Sequence, residues 1–143
     1  MNVTVSYQEK IIALWTIFLL GTLFHTQLGL MPLFHGQDIG FAYVHNNFNI
    51  AYILWGMLGF FVLPMYAIVV MVFNDSKRYR VIHLGLTIFY TVLNFLHVVL
   101  YLEVTAVVWY QIALMIVLFF IGLLLNLVSL QWLKAYNHYK KMA

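Results

Sequence analysis

The apolar positions of this chain fall in long blocks separated by short polar interruptions. Residues 11–37, 39–74, 81–102 and 104–133 contain no Asp, Glu, Lys or Arg. A helix needs about 20 apolar residues to cross a bilayer core, and every block exceeds that length. The pattern predicts four spans, at about residues 11–31, 51–73, 81–102 and 105–133, so that residues 1–143 form a single transmembrane domain. The expected fold class is all-α: an integral membrane four-helix bundle.

Composition agrees with the blocks, because 65% of the residues are hydrophobic and only 8% are charged, whereas soluble domains carry about 25% charged residues. The first apolar run follows MNVTVSYQEK, which lacks a basic leader, and no small-residue cleavage site follows it; the run reads as a retained span. All seven Lys and Arg residues (Lys10, Lys77, Arg78, Arg80, Lys134, Lys140 and Lys141) lie before span one, between spans two and three, or after span four. With four spans those places share one side, and the positive-inside rule assigns it to the cytoplasm, with both termini. The net charge of +3 is therefore a mark of topology toward the lipid bilayer, with no nucleic-acid partner expected. The expected location is a bacterial-type inner membrane or an organellar membrane.

Candidate chemistry rests on histidine, since the chain has no cysteine. In span three, His83, Thr87, Tyr90, Asn94, His97 and Tyr101 recur at steps of three and four, forming one polar helix face. A hydrocarbon environment disfavours such a row, so it should face the bundle interior or a cofactor. In span one, Gly21, His25 and Gly29 are spaced by four. The glycines serve either close helix approach or leave room for a flat ring ligated by the histidine between them.

Depth connects the two faces. His25 lies fifteen residues beyond Lys10, roughly 22 Å along a helix, and His97 lies seventeen beyond Arg80, roughly 25 Å. Two imidazoles at one level on inward faces are the donor set for bis-histidine ligation of haem b. The expected cofactor-binding residues are His25 and His97 on the iron, with Gly21, Gly29, Tyr90, Asn94 and Tyr101 around the ring. His83 and His97, fourteen residues apart on one face, resemble the paired ligand spacing of b-type dihaem membrane cytochromes. The resemblance covers one helix and fails at a second haem, because only His138, in the basic tail, shares the side of His83. His83 is accordingly read as interfacial.

The loop after span one adds His35 and His45, which with His25 and His97 make an alternative copper or zinc site. Other features are read as structural. Pro64 should kink span two, and Gly56 and Gly59 should thin it for packing. Gly122, Asn126 and Ser129 give span four a small polar edge for helix contact. Trp55, Trp109, Tyr110, Trp132, Tyr136 and Tyr139 are expected as interfacial anchors. No phosphate loop, nucleophile elbow, zinc-protease motif or carboxylate pair is present.

The expected function is that of a membrane b-type haem protein for electron transfer with a quinone as candidate partner, a carrier rather than an enzyme. The first alternative is an accessory or assembly subunit of a larger respiratory or photosynthetic membrane complex, or a homo-oligomer, whose histidines are structural or ligate chlorophyll. The copper or zinc site is the second.

Overall fold

The computed structural model describes residues 5–36, 50–103 and 108–142, less the side chains at 33, 50, 53 and 138–142. Four α-helices occupy them: α1 (Tyr7–Phe34), α2 (Ile50–Phe73), α3 (Lys77–Leu102) and α4 (Trp109–Met142). Each is long and apolar enough to cross a membrane, which is consistent with a multi-pass membrane protein.

The helices outrun the apolar blocks because polar residues cap them. Ser6 and Glu9 form a reciprocal capping box at the start of α1: Ser6 N–H donates to the Glu9 carboxylate at 2.7 Å, and Glu9 N–H donates to Ser6 Oγ at 3.2 Å. At the start of α3, Ser76 Oγ accepts from the Tyr79 N–H at 3.3 Å. Gly36, at φ 68°, supplies the left-handed residue that follows α1. The last helix continues through the basic tail to Met142.

Contacts between helix ends establish an up-and-down arrangement. Gln8 at the start of α1 donates to the Met71 carbonyl at the end of α2. Trp15 of α1 meets His83 near the start of α3, and Arg80 meets the carbonyl of Trp132 near the end of α4. One end of the bundle thus carries Lys10, Lys77, Arg78, Arg80 and Lys134, and is called here the basic end; the far end lies at Gly36, Ile50 and Glu103.

The core is concentrated toward the basic end. Ile11, Trp15, Phe18, Met71, Tyr90, Leu118, Leu125 and Trp132 form one buried cluster. Within it Trp15 stands edge-on to Phe18, His83 and Tyr90, with ring centroids 5.8, 6.3 and 5.3 Å away, an arrangement favoured by the aromatic quadrupole. One expectation is corrected: Trp132, expected at an interface, is buried at 3% exposure. Arg80, one of the topology charges, is also buried: it grips the Asp75 carboxylate at 2.7 and 2.8 Å and lies over the Trp132 and Tyr136 rings at 4.6 and 4.9 Å. Planar, weakly hydrated guanidinium suits both contacts.

Glycine decides how closely α4 approaches its neighbours. A Cβ on Gly21 would stand 2.4 Å from Leu118 Cδ2, and one on Gly122 would stand 2.8 Å from Thr91 Oγ1. Thr91 is itself fixed, donating to the Thr87 carbonyl and accepting from Asn126 Nδ2 at 3.0 Å. The small polar edge expected of span four is therefore a helix contact, as its spacing indicated.

Helix α2 is attached differently. Its buried residues Pro64, Ala67 and Met71 lie in its second half, and three of its carbonyls receive side-chain donors from other helices. Tyr90 donates to Phe60 at 2.6 Å, Tyr79 donates to Ala67, and Gln8 donates to Met71 at 3.3 Å. Phe60 is the residue whose carbonyl Pro64 leaves without its helical N–H, so Tyr90 satisfies the acceptor that proline releases. Before Phe60, Tyr52 and residues 54–59 are exposed, and nothing lies within 4 Å of a Cβ built on Gly56 or Gly59. Those glycines, expected to serve packing, have no packing partner among the described residues.

Candidate functional site

Where α2 loses its attachments, a cavity of about 540 Å³ opens among the four helices, toward the far end of the bundle. Its size is that of a small-molecule or cofactor pocket. Phe18, Phe60, Phe61 and Met57 make much of its wall apolar, while His25, Asn94 and His97 bring polar atoms to it.

His25 from α1 and His97 from α3 meet on this wall. Their ring centroids are 5.6 Å apart and the rings stand at 84° to each other. Equal depth in the sequence has become contact in space. Tyr101 rests against both, at 5.6 Å from His25 and 5.1 Å from His97. The helical period explains the gathering: Asn94, His97 and Tyr101 occupy one edge of α3, and α1 runs parallel to α3, so their equivalent turns stay level.

The polar atoms of the cleft are not all satisfied. Thr22 and Thr26 donate to the carbonyls of Phe18 and Thr22 within their own helix, at 2.8 and 3.1 Å. By contrast, the buried Nδ1 of His25 and the buried Oδ1 of Asn94 have no hydrogen-bond partner among the described residues. A buried polar atom without a partner is costly, and both of these belong to residues on the wall of one open cavity.

The remaining expected site residues are distributed otherwise. Tyr90 does not line the cavity; its hydroxyl is committed to the Phe60 carbonyl below it. Gly21 faces Leu118, and a Cβ on Gly29 would stand 3.4 Å from Gln111 Nε2. Both glycines thus bring α1 against α4, which is the close-approach reading of their spacing and not the flat-ring one. His35 is exposed just beyond α1, and His45 lies outside the described residues. Among the described residues no group of three His, Cys, Asp or Glu side chains is placed to hold a metal ion.

His83, expected at an interface, is instead 1% exposed and belongs to the core. Trp15 Nε1 donates to its Nε2 at 3.0 Å, and Ser129 Oγ lies 3.3 Å from its Nδ1. An indole N–H can only donate. The neutral ring therefore carries its proton on Nδ1, donating to Ser129, and both nitrogens are engaged. The polar stripe of α3 thus has two functions along its length: His83, Thr87, Tyr90 and Thr91 knit the core, while Asn94 and His97 line the cleft and Tyr101 packs behind the two histidine rings.

Among the wall residues not singled out from the sequence are Phe18, Met57, Phe60 and Phe61. A usable signal exists in α2, where Gly56, Phe60 and Pro64 are spaced by four and the proline frees the carbonyl at Phe60.

Fold and cleft together define the class: an all-α bundle of four membrane-length helices, closed at its basic end and carrying a histidine-bearing pocket near the other. Comparison with protein-family models, curated proteins and solved structures yields no match.

Proposed function

We propose that this is a multi-pass membrane electron-transfer protein whose cleft would hold one b-type haem, with His25 and His97 as the residues that would bind its iron. The observation that carries the reading is the meeting of two imidazoles from different helices on the wall of an open, aromatic-lined pocket. Two imidazoles whose ring centroids lie 5.6 Å apart are near enough to serve one metal ion. The donor set also suits iron porphyrin, since two neutral nitrogen ligands and an apolar surround are what a low-spin haem requires.

A bound haem would supply one-electron transfer. The chain's own residues supply the rest. His25 and His97 present the imidazoles, Tyr101 supports both rings, and Phe18, Phe60 and Phe61 keep water from the pocket. A quinone is the candidate redox partner because the cleft opens at the level of membrane-length helices, where lipophilic carriers reside. The accessory-subunit reading calls for His97 turned toward another chain, whereas its ring meets His25. Insertion with both termini cytoplasmic follows from the basic end and the positive-inside rule.

Absorption spectroscopy of the purified protein tests the reading. Low-spin haem gives a Soret band with sharp reduced α and β bands. Long-wavelength bands would indicate chlorophyll instead, and a colourless protein that takes up no added haem would end the proposal.

A further inference from the structure

We infer that Asn94 is the positioning residue for the His25 ligand: in the haem-bound protein its Oδ1 accepts the Nδ1–H of His25, directly or through one water. The inference rests on the haem reading and extends it to a residue that would not itself ligate the iron.

Two observations lead to it. The first is that His25 Nδ1 and Asn94 Oδ1 are both buried and unpartnered, and both residues line the same cavity. The second is their chemistry. A histidine that ligates through Nε2 carries its proton on Nδ1 and becomes a donor there, while an amide oxygen is an acceptor only. The two unmatched atoms are thus one donor and one acceptor. Asn94 lies three residues before His97 on α3, and His97 meets His25, so the amide sits one helical turn from the level of the ligand pair. Thr22 and Thr26 spend their hydroxyl protons on backbone carbonyls of α1, whereas the Asn94 oxygen has no partner among the described residues.

The physical consequence is specific. Metal-ligating histidines almost always give their second N–H to an acceptor, which fixes the ring and increases ligand basicity. A more basic imidazole favours ferric over ferrous iron. Asn94 therefore lowers the reduction potential of the bound haem and slows its loss. Simple packing by Asn94 would do neither in a manner that depends on an acceptor oxygen.

The test uses the full chain loaded with haem in detergent, comparing wild type with Asn94→Leu, which has similar volume and no acceptor, and Asn94→Asp, which keeps one. Asn94→Leu is expected to raise the reduction potential and to weaken haem binding roughly 10–100-fold. Asn94→Asp is expected to hold the potential at or below the wild-type value. Circular dichroism and thermal unfolding of the haem-free variants separate these effects from misfolding. An Asn94→Leu protein with wild-type potential and haem retention would overturn the role, as would equal shifts in both variants. A wild type that takes up no haem would instead overturn the cofactor reading on which the role depends.

Discussion

His83 and His97 share one face of α3 and have opposite surroundings. His83 has both nitrogens engaged, by Trp15 and Ser129, inside the aromatic core. His97 is exposed on one side, and among the described residues its ring meets the rings of His25 and Tyr101. Their substitutions should therefore separate stability from colour. His83→Ala leaves the buried Trp15 N–H without an acceptor, a loss of about 1–3 kcal/mol, visible as a lower unfolding midpoint in detergent with the haem spectrum of the folded fraction unchanged. His25→Ala or His97→Ala should convert or abolish the six-coordinate low-spin spectrum that the proposed haem would give, while costing less stability, because among the described residues these rings make ring contacts and no side-chain hydrogen bond. An unchanged spectrum in His25→Ala would remove it as a ligand.

At the scale of elements, α2 and α4 show two ways of joining a bundle. Helix α4 approaches through glycine, and the two sites differ in what a methyl group would meet. At Gly122 it meets Thr91 Oγ1, held by two hydrogen bonds; overpacking of that kind costs about 1–3 kcal/mol. At Gly21 it meets the mobile end of Leu118, and the gain in helix propensity, about 1 kcal/mol for Gly to Ala, offsets the adjustment. Gly122→Ala is expected to destabilise and Gly21→Ala to be nearly neutral in denaturant titrations; the reverse order would mean that Leu118 is the more rigid neighbour.

Helix α2 joins through side-chain donors to its carbonyls, and here proline sets the need. Tyr90→Phe should cost about 1 kcal/mol, the net contribution of a hydrogen bond, by leaving the Phe60 carbonyl unpaired. Restoring a backbone N–H with Pro64→Ala supplies that carbonyl from within the helix. In a double-mutant cycle the effect of Tyr90→Phe should therefore shrink in the Pro64→Ala background; additive effects would show that the tyrosine acts by packing alone.

For the molecule as a whole, the charges and the core coincide at one end and the cleft lies toward the other. With the proposed orientation, tags at either terminus should be accessible from the cytoplasmic side and a tag near Gly40 from the opposite side. Termini on opposite sides would require an odd number of spans. In that orientation the cleft faces the outer half of the membrane, which places any lipophilic partner there as well.

The four helices were legible along the chain because membrane-length apolar blocks bounded by charge leave little choice of secondary structure. The levels of His25 and His97 were legible for the same reason, since helical rise turns residue number into depth. Their contact agrees with that arithmetic. The capping box at Ser6 and Glu9 was also present in the sequence, as S-x-x-E, although the apolar blocks alone start α1 later. What periodicity could not settle was which side of each face meets which neighbour. Gly21 and Gly29 flank His25 in sequence yet turn to α4, and Tyr90 stands between His83 and His97 yet answers a carbonyl on α2. Those outcomes depend on the rotation of each helix about its axis and on the uneven attachment of α2. Both are set by side chains distant in sequence: Leu118 against Gly21, Thr91 against Gly122, and the carbonyl that Pro64 releases at Phe60. One-dimensional spacing carries no record of such partners, because packing energy depends on the shapes of both surfaces at once.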